Sequence, residues 1–161
     1  MNQSFSVKSL CLGGAIAALY VVLTVLANAF GLASGAIQVR LSEALTILPV
    51  FTAAAVPGLT MGCVLANLIT GCAAWDVVFG SLATLIGAVG AYLLRKKPMI
   101  AWLPPVISNM IIVPIVLQKV YGVPDSFWYL TLTVGAGEVI ACGVLGLLLY
   151  KALKKVPRLF E

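Results

Sequence analysis

The side chains with the clearest capacity for chemistry are carboxylates set in apolar sequence. The chain has five acidic residues; Glu161 is the last residue, and Glu43, Asp76, Asp125 and Glu138 stand within or beside long hydrophobic stretches. There is no histidine, which removes the commonest metal ligand and the usual proton shuttle at neutral pH. Because no nucleophile and base stand together as a recognisable pair, isolated carboxylates favour ligand binding over catalysis.

Cysteine spacing and nucleotide motifs point away from cofactor chemistry. Cys11, Cys63, Cys72 and Cys142 are dispersed and form no Cys-x-x-Cys pair, so we interpret them as packing residues. No P-loop, glycine-rich dinucleotide loop or His-Glu-x-x-His helix is present. The sequence therefore predicts no cofactor, no metal site and no ATPase activity in this chain.

The composition is that of a membrane protein. Of 161 residues, 62% are hydrophobic and 9% are charged, and the mean hydropathy is +1.13. Soluble domains have about 25% charged residues, so the composition excludes a soluble or disordered protein. A helix needs about 20 residues to cross the roughly 30 Å hydrocarbon core. The sequence accordingly predicts one transmembrane domain over residues 1–161.

Charges, prolines and polar clusters divide the chain into six apolar runs, two of them short. These are Leu10–Phe30, Leu41–Thr52, Gly58–Cys72, Val77–Leu94, Met99–Leu117 and Phe127–Leu153. We therefore predict an all-α integral membrane protein with six transmembrane helices. Short spans and spans interrupted by proline or glycine are typical of cavity walls, since broken backbone must be covered by protein or water.

The basic residues predict the orientation. With six spans, one side carries Lys8, Arg95, Lys96, Lys97, Lys151, Lys154, Lys155 and Arg158, and the other carries Arg40 and Lys119. This bias predicts cytoplasmic N and C termini, and we expect a multi-pass protein of a prokaryotic plasma membrane. The net charge of +5 is thus a topology signal and does not indicate nucleic-acid binding.

Intramembrane polar residues fall in the half of the domain away from the basic side. Glu138 lies about a dozen residues into the last span, about 18 Å deep, where a carboxylate indicates function by default. It has no obvious partner nearby in sequence. Asn67 and Asn109 are either ligand contacts or interhelical hydrogen bonds. We interpret these groups as a pocket open to the outer side.

Four further features have two interpretations each. Glu43 either faces the pocket or pairs with Arg40 three residues before it, and Asp76 either contacts ligand or caps a helix. Trp75 and Trp128 are either an interfacial belt or stacking surfaces for a flat ligand. The small pair Gly14 and Ala18 allows close approach of another helix, either within the domain or on a separate subunit.

The segment Gln38–Pro49, QVRLSEALTILP, resembles the signature of the QueT-type queuosine-precursor transporters. Further similarity lies at Gly62–Asn67, Asp76–Leu85 and Gly135–Glu138, and the resemblance extends from about residue 8 to 155. These proteins are substrate-binding (S) components of energy-coupling-factor (ECF) transporters. The resemblance implies six helices, a transmembrane coupling subunit and two cytoplasmic ATPases as partners, and docking through Gly14 and Ala18.

The implied ligand is a 7-deazaguanine: the cyano or aminomethyl queuosine precursor, or queuine. Carboxylates would accept its N–H and NH2 donors, amides would bind O6, and an aromatic ring would stack on it. The predicted pocket residues are Arg40, Glu43, Asn67, Trp75, Asp76, Asn109, Trp128 and Glu138. Three alternatives stay open at this level: an S component for another vitamin or cofactor precursor, a gradient-driven carrier, and a small membrane enzyme.

Overall fold

The described residues in this computed structural model are 7–32, 38–156 and 160, and they form helices joined by short connections, with no strand among them. The helices are α1 (Val7–Ala29), a 3₁₀ helix (Leu41–Val50), α2 (Ala55–Ile69), α3 (Ala74–Leu93), a 3₁₀ turn (Pro98–Ile100), α4 (Leu103–Lys119), α5 (Phe127–Glu138), a π-helical segment (Val139–Leu145) and α6 (Gly146–Leu153). α5, the π-helical segment and α6 form one continuous rod. The all-α prediction is confirmed.

Four segments of the described chain are long and apolar enough to cross a membrane. They are Val7–Ala29, Ala74–Leu93, Pro98–Lys119 and Phe127–Leu153. Two shorter apolar helices, Leu41–Val50 and Ala55–Ile69, correspond to the two short runs in the sequence.

The 3₁₀ helix occupies the centre of the bundle. All of its residues from Ser42 to Pro49 are buried, and it packs against α1, α2, α3, α6 and the π-helical segment. A 3₁₀ helix rises about 2.0 Å per residue, so these ten residues extend about 20 Å. Pro49 lacks a backbone N–H and therefore cannot contribute a regular helical hydrogen bond near the end of the segment.

Contacts between the segments establish their relative directions. Thr24, late in α1, meets Ser42 at the start of the 3₁₀ helix, whereas Gly13, early in α1, lies against Ala54. The 3₁₀ helix therefore returns antiparallel to α1 before α2 begins. Alternation continues through the later helices and brings Val7 and Leu153 to the same end of the bundle.

Small residues set the close packing of α1 on α2. A Cβ built on Gly58 would lie 2.6 Å from the Gly13 carbonyl oxygen, and one on Gly62 would lie 3.0 Å from the carbonyl oxygen of Ala17. Two four-residue spacings, Gly13/Ala17 and Gly58/Gly62, thus face each other and let the backbones touch.

The basic residues divide between the two ends of this bundle. Lys8, Arg95, Lys96, Lys97, Lys151, Lys154 and Lys155 belong to the end that holds Val7 and Leu153, and Arg40 and Lys119 belong to the other, here called the Arg40 end. Arg158 lies outside the described residues, as does most of the polar break that begins at Ser34. The orientation of the two ends across a membrane stays a prediction.

Candidate ligand-binding site

A polar cavity of about 340 Å³ lies at the Arg40 end of the bundle. α1, α2, α3 and α4 supply its walls together with the connections between them. Its lining residues are Thr24, Ala27, Asn28, Gln38, Arg40, Asn67, Thr70, Cys72, Asp76, Leu117, Tyr121 and Val123. Of the residues predicted from the sequence to contact ligand, Arg40, Asn67 and Asp76 line this cavity.

Asp76 is held by a side chain from a different part of the chain. Its Oδ2 accepts a hydrogen bond of 2.9 Å from the Tyr121 hydroxyl, 45 residues away. The residue that caps α3 is Ala73, and it makes no side-chain cap bond, so Asp76 is not the N-cap considered from the sequence. Only 7% of Asp76 is exposed, yet its carboxylate forms part of the cavity wall.

The side chains of Asn67 and Asp76 both lie against Gly80. A Cβ on Gly80 would lie 3.2 Å from Asn67 Nδ2 and 3.3 Å from Asp76 Oδ1. The bare Cα of Gly80 therefore leaves room for an amide donor and a carboxylate acceptor next to each other. The Asn67 amide also donates to Cys63 Sγ over 3.6 Å.

Tyr121 forms a bridge at the cavity wall. Its hydroxyl donates to Asp76 and accepts a 3.1 Å hydrogen bond from the backbone N–H of Ala73. Partial burial raises the pKa of the Tyr121 phenol to about 12, and its hydrogen bond to Asp76 and the charge of that carboxylate act in the same direction. The Ala73 N–H has the opposite effect.

A second cavity of about 220 Å³ adjoins the first. The two share Gln38, Leu117 and Val123 in their walls, and the second is also lined by Asp125, Tyr129, Leu130, Thr133 and Val134. The connection between α4 and α5, which contains Val123, therefore borders both spaces.

A buried polar cluster lies at the centre of the bundle: Tyr20, Glu43, Asn109, Glu138 and Cys142. The Tyr20 hydroxyl donates to Glu43 Oε1, and the Cys142 thiol donates to Glu138 Oε2 over 3.2 Å. Asn109 lies close to both carboxyl groups. All five are buried, so Glu43, Asn109 and Glu138 form a group separate from the cavity lining.

Glu43 interacts with Tyr20 instead of forming the ion pair with Arg40 considered from the sequence. The structure shows no nitrogen–oxygen contact within 4.0 Å between them, although Arg40 is near enough to interact with Glu43 electrostatically. The second carboxyl oxygen of Glu43, Oε2, is buried and has no hydrogen-bond partner among the described residues. A buried carboxylate oxygen costs free energy when no hydrogen bond replaces its hydration, and the Asn109 amide is the neighbouring group that can donate to the Glu43 carboxyl.

The cluster also brings three potential metal-ligand atoms together. A carboxylate oxygen from each of Glu43 and Glu138 and the Cys142 sulfur lie within 4.8 Å of one another. The thiol, however, already donates to Glu138 and accepts from the Thr46 hydroxyl at 3.4 Å. These contacts form a hydrogen-bonded network that joins the 3₁₀ helix to the last rod of the bundle.

The two tryptophans lie on the surface. Trp75 is 63% exposed and stacks on Phe79, and Trp128 is 76% exposed beside Phe127. Neither lines the polar cavity, and both lie near the Arg40 end. This placement is that of an interfacial aromatic belt.

Gly14 and Ala18 occupy the outer face of α1. Both are exposed, and a Cβ on Gly14 would find no atom within 4 Å. Gly14 borders an apolar groove of about 360 Å³, which is lined by Ser9, Leu10, Gly13, Gly14, Ala17, Ala54, Pro57, Gly58 and Met61. The packing role within the domain belongs to Gly13 and Ala17, so the neighbouring pair remains available to another surface.

The model of the QueT transporter family matches residues 10–155. The chain belongs to the QueT transporter family. Comparison with curated proteins and with solved structures returns no match. Family membership, together with the apolar helices, makes this chain a multi-pass membrane protein of a transporter family, which points to transport rather than to catalysis.

Several site residues of this QueT-family chain were not predicted from the sequence. Cys142 lies four residues after Glu138, one helical turn on, and this spacing could have identified it as the local partner. Tyr20 and Tyr121 reach carboxylates 23 and 45 residues away, and no local pattern signals such pairs. The polar cavity residues Thr70 and Cys72 lie in a turn, where their orientation depends on the tertiary fold.

Proposed function

We propose that this protein is the substrate-binding S component of an ECF importer for a 7-deazaguanine precursor of queuosine. The match to the QueT transporter family over residues 10–155 is the observation that carries this proposal. The chain contains no nucleotide-binding motif, so ATP hydrolysis would come from two separate ATPases through a transmembrane coupling subunit.

We propose that the ligand binds in the polar cavity. Its volume of about 340 Å³ falls in the range of about 300–1,000 Å³ typical of small-molecule sites. The Asp76 carboxylate accepts the ring N–H and the exocyclic NH2 of the deazaguanine, and the Asn67 amide donates to O6. Charge-assisted contacts of this kind are about twice as strong as neutral ones.

The buried polar cluster lies next to this site, toward the centre of the bundle. Arg40 interacts electrostatically with both Asp76 in the cavity wall and Glu43 in the cluster. We assign Arg40 to direct ligand contact. Glu43, Asn109 and Glu138 lie next to the site, and the contact with Glu138 predicted from the sequence requires the cavity to deepen when ligand binds.

The proposed architecture has six membrane crossings with both termini in the cytoplasm. The alternating directions of the six segments and the grouping of basic residues at one end support this topology. The polar cavity then opens to the outside. The exposed Gly14 and Ala18 provide a smooth face on α1 for the coupling subunit, because small residues let helices approach closely.

Calorimetry on the purified protein with queuine and with the aminomethyl and cyano precursors tests the ligand assignment. Asp76→Asn should weaken binding about ten- to a hundredfold, because a buried hydrogen bond to a charged group is lost. Asp125→Asn is the matched control, since Asp125 lines only the adjacent cavity and its backbone oxygen, not its carboxylate, is the hydrogen-bonded atom. No binding of any of the three compounds to the wild type would refute the ligand class.

A transport assay separates an ECF component from a gradient-driven carrier. Cells that express this chain without the coupling ATPases should not accumulate the precursor. Uptake that persists in those cells would contradict the ECF assignment and leave the ligand assignment intact.

A further inference from the structure

Two connections meet at one hydroxyl group on the rim of the polar cavity. The α2–α3 connection contributes the backbone N–H of Ala73, and the α4–α5 connection contributes Tyr121. The same hydroxyl donates to Asp76 in the first turn of α3. Because Tyr121 and Asp76 both line the cavity, these two hydrogen bonds join parts of its wall that come from different connections.

Each of the two connections contains a glycine with a positive φ. Gly71 has a φ of +74° and Gly122 a φ of +64°, and a Cβ built on either would find open space. Such positions favour glycine, and here each one ends a helix: the Cys72 N–H donates to Asn67 O over 2.9 Å, and the Val123 N–H donates to Leu117 O over 3.1 Å. These two helix ends bring the bridged residues, Ala73 and Tyr121, next to each other at the rim of the cavity.

The rest of the α4–α5 connection is tied to α4 and not to α3. The Gln118 side-chain amide donates to the Asp125 carbonyl oxygen at 2.8 Å, and the Val123 N–H donates to Leu117 O at 3.1 Å. The Tyr121 hydroxyl is thus the hydrogen-bonding group of this connection that crosses to the other wall. Tyr121 is 45% exposed, so water can replace its partners when the bridge opens.

We propose that Tyr121 is the residue that controls exchange between the polar cavity and water, by closing the connection between α4 and α5 onto the start of α3. Opening requires that the Tyr121 hydroxyl release Asp76 and Ala73. The release also frees Asp76 Oδ2, the oxygen occupied in the closed protein, to accept from a ligand. The last statement rests on the proposed function, whereas the gate itself does not.

A native thiol reports on the gate without any ligand. Cys72 lines the cavity and is partly buried, so its reaction with a water-soluble thiol reagent measures opening. Peptide mass spectrometry separates it from Cys11, Cys63 and Cys142. Tyr121→Phe removes the hydroxyl and keeps the ring, and we expect Cys72 to be labelled about three- to tenfold faster than in the wild type.

Tyr129→Phe is the control variant. Tyr129 lines the adjacent cavity, and its hydroxyl makes no hydrogen bond to the described residues, so its loss should leave the Cys72 labelling rate unchanged. Thermal unfolding of each variant shows whether the fold is intact. An unchanged labelling rate in Tyr121→Phe, or an equal rise in Tyr129→Phe, would overturn the gate.

Stopped-flow binding of a 7-deazaguanine gives the second measurement. Tyr121→Phe should raise the association and dissociation rates together by a similar factor, so the dissociation constant should change less than either rate. If the wild type binds no deazaguanine, the proposed function fails while the Cys72 labelling still decides the gate. Faster labelling with unchanged ligand exchange rates would show that ligand enters by another route and would refute the role of Tyr121 in exchange.

Discussion

The docking face on α1 yields a test based on two adjacent glycines. Gly14 and Gly13 stand one residue apart in the same helix, but a Cβ on Gly14 enters open space and one on Gly13 lies 3.2 Å from the Ala54 carbonyl oxygen. Substituting leucine at each position adds the same atoms on two faces of α1 that are about 100° apart. The structure therefore predicts different effects on the fold and on coupling.

The magnitudes follow from packing. Gly14→Leu should leave the free energy of unfolding unchanged or raise it by up to about 1 kcal/mol, because leucine is a better helix former than glycine. Gly13→Leu forces side-chain atoms against the start of α2 and should lower the free energy of unfolding by about 1–3 kcal/mol. Gly58→Ala should resemble Gly13→Leu, since its Cβ would lie 2.6 Å from the Gly13 carbonyl oxygen.

Four measurements on each variant separate the outcomes: thermal unfolding, ligand binding to the purified protein alone, copurification of the coupling subunit, and uptake in cells. Gly14→Leu should bind ligand and unfold like the wild type but lose copurification and transport. If Gly14→Leu transports normally, α1 does not dock through this face. If it loses ligand binding as well, Gly14 contributes to the fold and the reasoning from its open surroundings is wrong.

Four further predictions address topology, the buried carboxylates and the cavity wall. Cysteine at Lys96 should react with thiol reagents only from the cytoplasmic side and cysteine at Lys119 only from outside intact cells; the reverse pattern would invert the topology. Glu138→Gln should weaken deazaguanine binding by about tenfold to a hundredfold if the cavity deepens to reach Glu138, and calorimetry that shows wild-type affinity would exclude that contact. Tyr20→Phe should lower the free energy of unfolding by about 1.5–3 kcal/mol, because it removes the hydrogen bond to buried Glu43; denaturation that matches the wild type would contradict this role. The Tyr121 phenol should titrate with a midpoint of about 12, measured as the absorbance difference between the wild type and Tyr121→Phe. Because this pKa is raised, the contribution of the phenol to stability is complete below pH 10, its ordinary pKa, and is lost as the pH rises through 12. A midpoint at pH 10 would mean that the hydrogen bond to Asp76 is absent in solution.

Helix positions could be predicted closely from the sequence, because charges and prolines interrupt the apolar runs where the chain emerges from the bundle. The last run was predicted as Phe127–Leu153, which is the extent of the final rod. The 3₁₀ geometry of Leu41–Val50 and the π-helical segment could not be predicted, since both arise where the chain fits around buried polar groups. Small-residue spacing likewise identified α1 as a contact helix without revealing which pair faces inward.

The site was only partly accessible to the same reasoning. Depth along a span placed Asn67 and Asp76 at the correct end, and both line the polar cavity. Depth alone does not report the rotation of a helix about its axis, so Glu43, Asn109 and Glu138 were grouped with them although they lie in the buried cluster. The aromatic residues that hold the two carboxylates, Tyr20 and Tyr121, come from distant segments.

The central 3₁₀ helix has a consequence for how the protein is made in the cell. Leu41–Val50 is short and carries Glu43 in its first turn, and a charged residue within a span opposes membrane insertion, by up to about 2.5–3.5 kcal/mol at mid-membrane. One of its buried contacts is to Cys142, 96 residues after Thr46, in the last part of the chain to leave the ribosome. The 3₁₀ helix therefore completes its buried contacts only after Cys142 has been synthesised. Its final packing is a later step than its own translation, and a variant that disturbs the last rod would leave the centre of the bundle incomplete.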